Sequence, residues 1–208
     1  MLGSITPLGE RGHRRRWSAT VVWYFVGSVL GGAVIGTLLG AAGAVLAALG
    51  LELSGTAVLV VVAVLAAVGV VFDLHLGGLR LPTVARQVNE DWLVRYRGWV
   101  VGVGFGFQLG LGVVTIVTTA TLYVAFATAL LAGSLPAGLA LGVVFGLARA
   151  LPLLAARNVD SAPKLRTQHL RLASWAPRVH ASAVAALVVA SVVAIGIVSL
   201  GSLGVVAT

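Results

Sequence analysis

No cysteine occurs in this chain of 208 residues, so disulfides, thiolate metal sites and thiol–disulfide exchange are excluded from the outset. Acidic residues are nearly as scarce: six Asp and Glu stand against fourteen Lys and Arg. Charged residues of both signs make up only 10% of the chain, where a soluble domain carries about 25%. With 59% hydrophobic residues and a mean hydropathy of +1.06, the composition excludes an ordinary soluble domain. The net charge of +8 does not indicate a nucleic-acid partner, because the cations flank apolar runs, where they suit anionic lipid headgroups. His13, His75, His169 and His180 are scattered without ligand spacing, and no nucleophile–base constellation falls inside an apolar run. No metal, cofactor or catalytic residue is therefore expected, and the chain reads as non-enzymatic.

Long apolar runs take the place of what is missing. Five are apparent, at about 20–49, 56–73, 99–132, 136–155 and 181–206, and roughly 20 apolar residues suffice to cross a bilayer. The expected fold is an all-α polytopic helix bundle in the cell membrane, preceded by a polar, basic leader over 1–16 that is mobile up to the membrane surface. The cations are sorted. Arg11, Arg14, Arg15 and Arg16 precede the first run; Arg80, Arg86, Arg95 and Arg97 lie between the second and third. Arg149, Arg157, Lys164, Arg166, Arg171 and Arg178 lie at or after the end of the fourth. The connections near Leu51–Gly55 and Gly133–Pro136 carry no basic residue. Basic loops stay cytoplasmic, which predicts five spans with the N-terminus inside and the C-terminus outside. The first and third runs are over-long, and folding either back as a hairpin would misplace a basic loop, so long single helices are expected. Residues 75–98 and 160–178 show apolar spacings of three and four, the pattern of amphipathic helices at the inner surface. Trp17, Trp23 and Tyr24 take the place of interfacial aromatics.

Inside the runs, glycine spacing is the clearest signal. Gly32, Gly36 and Gly40 form one row at intervals of four, with Gly27 and Gly31 as a further pair. Gly102, Gly106 and Gly110 repeat the row in the third run, and Gly138, Gly142 and Gly146 in the fourth. Residues four apart share a helix face, and small side chains there let another backbone approach closely. Leucine at Gly36 or Gly106 should disrupt such contacts, whereas alanine should be mild. Gln108, Thr115 and Thr119 fall on nearly one face of the third run, either bonding a neighbouring helix or lining a polar track. Arg149 can snorkel or pair with Asp73, as a structural ion pair or an inner gate.

The order of these segments resembles the second to sixth helices of the CcdA/DsbD family of thiol-disulfide electron carriers, which serve cytochrome c biogenesis. The similarity is carried by Phe25–Ser28 through Gly40–Gly43, by Val68–Gly77, by Gly104–Gly112 and by Gly142–Pro152. It implies a helical membrane fold and work with extracytoplasmic partner proteins. Two features depart from it. Residues 1–16 are polar where the family has a first helix bearing one redox cysteine, and no cysteine stands near Gly110–Gly112, where the other would fall. Electron transfer by thiol exchange does not carry over. The expected function is that of a membrane subunit supporting assembly or anchoring of a membrane-protein partner, or of a second copy of itself. The rival is a small-solute permease or exporter with Gln108, Thr115 and Thr119 as its track and Arg149 as its gate.

Overall fold

Helix boundaries follow from local chemistry at a few punctuating residues. The computed structural model describes residues 6–12, 16–76, 97–112 and 119–206, and every regular element among them is helical. Helix α1 is short, Pro7–Gly12, and α2 runs Trp17–Ala48. Gly50, at φ 75°, ends α2: its N–H bonds Ala47 O at 2.9 Å, and the Leu51 N–H bonds Leu46 O at 3.0 Å. This is a Schellman closure, in which a left-handed glycine satisfies the last free carbonyls. Ser54 then caps α3, Gly55–Asp73, by accepting the Ala57 N–H on its hydroxyl at 3.2 Å. Helices α4, Gly98–Leu111, and α5, Thr121–Leu131, precede α6, Leu135–Ala150. Pro152 cannot supply the N–H that an α-helix needs, and the chain tightens into a 3-10 helix over Leu151–Asn158. Helix α7 runs Ala162–Val206 with Pro177 inside it.

The chain is an all-α polytopic membrane protein. Among the described residues, four helical stretches are long and apolar enough to cross a membrane: Trp17–Ala48, Gly55–Asp73, Leu135–Asn158 and Ala162–Leu200. The third expected span is not one long helix. Gly112 adopts φ 71° and ends α4 at Leu111, and the next helix begins at Thr121, leaving apolar helices of 14 and 11 residues. Neither alone matches the roughly 20 residues of a full crossing. The amphipathic helix expected over 75–98 lies almost wholly outside the described residues. The one expected over 160–178 is continuous with the last span, because Pro177 is accommodated inside α7. Asp160 bonds Lys164 at 2.8 Å just before it, and that hydrogen bond holds the Asp160 carboxyl below the usual carboxylate range.

Two compact units share these helices. The first comprises Met1–Thr37, Val84–Ile116 and Leu139–Ala176; the second comprises Leu38–Thr83, Val117–Gly138 and Pro177–Thr208. In the first, α2 packs on α4 and on α6, with Val21, Tyr24, Val101, Phe105, Ala150 and Leu153 as its apolar core. In the second, Ala66 of α3, Ala120 before α5 and Leu187 of α7 form the core. Trp23 and Trp99 meet at 6.1 Å between ring centroids and remain half-exposed, as interfacial aromatics do. Tyr24 does not join them: it is 8% exposed and belongs to the core.

The glycine rows are helix contacts within the chain. A Cβ at Gly106 would strike Tyr24 O and lie 2.9 Å from Ser28 N, and one at Gly102 would lie 2.6 Å from Thr20 O. A Cβ at Gly110 would strike Ser28 O and lie 2.9 Å from Gly32 N. On the other side of α2, a Cβ at Gly32 would strike Gly142 O, and one at Gly142 would strike Gly32 O and lie 3.1 Å from Gly36 Cα. Gly146 faces Ser28 O in the same way, while in the second unit a Cβ at Gly40 would lie 2.5 Å from Ser134 O and 3.2 Å from Gly138 Cα. Backbone touches backbone along these rows. Alanine is therefore expected to cost stability there, where the sequence alone suggests a mild effect, because the obstructing atoms are main-chain atoms that cannot swing aside.

The leader also departs from expectation. Thr6 and Glu10 are each 1% exposed, and the Leu8 N–H bonds Val159 O at 3.0 Å. Residues 6–12 are folded against the 3-10 helix rather than free.

Candidate functional site

Polar side chains within the apolar units gather in two places. In the first unit, Thr20, Tyr24 and Ser28 sit at intervals of four on one face of α2 and are all buried. The Thr20 hydroxyl donates to Glu10 Oε2 at 2.9 Å, and the Ser28 hydroxyl donates to Gly146 O at 2.7 Å. Arg149, near the end of α6, lies over the Phe145 ring at 5.6 Å. Sequence reading singled out Arg149 at the inner end of the fourth run, as a snorkelling residue or a partner of Asp73, and missed the Thr20–Tyr24–Ser28 row, although its four-residue spacing is as plain as that of the glycines.

In the second unit the centre is Asp73, the last residue of α3, with 1% of its surface exposed. Its Oδ1 accepts the Ala120 N–H at 2.8 Å, placing a carboxylate at the N-terminus of α5, where the helix dipole favours negative charge. Its backbone carbonyl accepts from His180 Nε2 at 3.1 Å and from His75 Nδ1 at 3.0 Å. Those bonds tie α7 and the turn after α3 to the same residue. Oδ2 of Asp73 and the Thr121 hydroxyl are buried without a hydrogen-bond partner.

The two residues expected to form an ion pair, Asp73 and Arg149, belong to different compact units. Within its own unit, Asp73 Oδ1 is engaged at the α5 N-terminus. The salt bridge found among the described residues is Lys164–Asp160, an exposed pair that contributes little. The face expected to join Gln108, Thr115 and Thr119 is interrupted as well. Gln108 lies on α4, which ends at Leu111; Thr119 lies in the bend before α5; Thr115 lies outside the described residues. Helical spacing cannot align residues across a helix end. The Gln108 Oε1 is buried without a partner. Among the described residues no three His, Cys, Asp or Glu gather as metal ligands.

Residues 2–198 match the family described as the cytochrome c biogenesis protein transmembrane region. The chain belongs to that family. The relatives it resembles are methylamine utilization proteins called MauF: it is 38% identical over 140 residues to the one from Paracoccus versutus, covering 66% of this chain and 49% of the relative. It is 35% identical over 157 residues to that from Methylophilus methylotrophus, covering 73% and 53%, and 34% identical over 155 residues to that from Paracoccus denitrificans, again 73% and 53%. The chain thus spans about half the length of the curated relatives it matches. No solved structure matches it. Membership of the cytochrome c biogenesis transmembrane family agrees with the resemblance carried by the glycine-rich segments, and this member has no cysteine.

Proposed function

We propose that this member of the cytochrome c biogenesis transmembrane family is a non-enzymatic membrane subunit that supports assembly or anchoring of a partner protein. One observation carries the reading: the family's helical frame is present in a chain with no thiol to oxidise or reduce. The similarity to methylamine utilization proteins supports a place for that role in methylamine utilization. Tagged chain isolated from its own membranes in mild detergent is expected to bring a second protein in fixed ratio, retained after chemical cross-linking. Migration as a species containing only this chain and lipid, with or without cross-linker, would sink the proposal.

The buried, unpartnered Gln108 Oε1 favours a second reading, a small-solute permease. Gln108→Leu separates the two. A packing role predicts stability equal to or above the parent's, since the buried Oε1 has no hydrogen bond to lose, and no solute phenotype. A transport role predicts a stable protein whose cells lose uptake or resistance.

We infer from the sorted cations that the N-terminus and basic loops are cytoplasmic. A reporter fused after Thr208 should be active only outside, and one inserted near Asn89 or Ser161 only inside. Cytoplasmic activity at the C-terminus would mean an even number of crossings.

A further inference from the structure

Helix α1 has six residues, too few to persist in water without tertiary contacts. Two bonds fasten it at opposite sides. The Leu8 N–H reaches Val159 O at 3.0 Å beyond the 3-10 helix, and Glu10 Oε2 accepts the Thr20 hydroxyl of α2 at 2.9 Å. Within the segment, the Thr6 hydroxyl accepts the Gly9 N–H at 3.1 Å. Thr6 also closes a small apolar hollow with Pro152, Ala156, Val159, Leu165 and Leu172.

Glu10 is the only acidic residue before Glu52, and it is followed by Arg11, Arg14, Arg15 and Arg16. A segment that merely rested on an anionic surface would leave its charges in water. Here the acid is 1% exposed and bound by a neutral hydroxyl. Burying a carboxylate is unfavourable unless hydrogen bonds compensate it, so a closure resting on one such bond is of modest strength. Segments held by few buried contacts open well below the global unfolding free energy.

We propose that residues 6–12 form a releasable strap, closed over the N-terminal end of α2 by the Glu10–Thr20 bond. Opening uncovers Thr20, at the start of the buried Thr20–Tyr24–Ser28 row, together with Ala156 and Val159 in the 3-10 region. The strap thereby sets whether this end of the first unit is accessible from the aqueous phase.

The absence of cysteine makes the test direct, since any thiol introduced is the sole site of labelling. Ala156→Cys reports from beneath the strap, where Ala156 is 5% exposed, and Thr167→Cys reports from an exposed position. In the full chain in mild detergent, Ala156→Cys should react with a maleimide at least about tenfold more slowly than Thr167→Cys. Adding Glu10→Ala or Thr20→Val should raise the Ala156→Cys rate by about tenfold or more, the scale of a lost hydrogen bond to a charged group. Thr167→Cys should not respond. Glu10→Gln keeps a carbonyl that accepts the Thr20 hydroxyl, and should stay near the closed rate. Hydrogen exchange in the cysteine-free chain gives a second reading: the Leu8 amide should be protected, and Glu10→Ala should remove the protection. An Ala156→Cys rate equal to that of Thr167→Cys, a rate indifferent to Glu10→Ala and Thr20→Val, or an unprotected Leu8 amide would each overturn the proposal.

Discussion

Gly106→Ala and Gly142→Ala are each expected to destabilise the purified protein by about 1–3 kcal/mol, the range for overpacking a tight interior. Elsewhere in a helix the same substitution normally helps, by about 1 kcal/mol, because glycine is the poorer helix former. The difference lies in what the new methyl meets. At Gly106 it meets Tyr24 O and Ser28 N, and at Gly142 it meets Gly32 O. Relief would require α4 or α6 to move away from α2, giving up the dispersion contacts that hold helices together in lipid, where water exclusion contributes nothing. Gly196→Ala is the matched control. Gly196 is also helical, but a Cβ there finds nothing within 4 Å, so that variant should be neutral or more stable. Thermal unfolding of the three variants in one detergent decides the matter. Equal stability across them would show that the rows tolerate separation.

Asp73→Ala is expected to cost about 1.5–3 kcal/mol, the scale of a hydrogen bond to a charged group. It leaves the Ala120 N–H buried without an acceptor and removes the negative charge from the N-terminus of α5. Asp73→Asn is the informative companion. It retains an acceptor for Ala120 and removes a charge whose second oxygen has no partner. Because burying an incompletely bonded charge is unfavourable, Asp73→Asn should be at least as stable as the parent. A large loss on Asp73→Asn, equal to that on Asp73→Ala, would show that the charge itself is needed, and the account of Asp73 as a cap would fail.

Much of the interior was legible because membrane helices advertise their contacts in one dimension. The rows Gly32–Gly36–Gly40, Gly102–Gly106–Gly110 and Gly138–Gly142–Gly146 are four-residue repeats, and four residues return to one helix face whatever the partner. Each row contacts another segment of the chain. The severity of alanine was not legible, since it depends on whether main chain or side chain stands opposite.

The break in the third apolar run was written in the sequence but outweighed by hydropathy. Gly112 stands within the run, and glycine is the residue that readily takes the left-handed conformation which ends α4. Hydropathy cannot see the stop at Gly112. The folded leader was hidden for the opposite reason. Thr6 and Glu10 are polar, and their burial is made tolerable by the Gly9 N–H on the Thr6 hydroxyl and by the Thr20 hydroxyl on Glu10.

By itself the sequence determined the solvent and the chemistry: apolar runs require lipid, absent cysteines exclude thiol exchange, and small-residue rows require close helix contact. Tertiary structure alone decided the partners. Asp73 takes the Ala120 N–H, Thr20 takes Glu10, and Ser28 takes Gly146 O. The physical reason is that a buried polar atom must find a complementary atom nearby, and which atoms are near is set by how the helices pack.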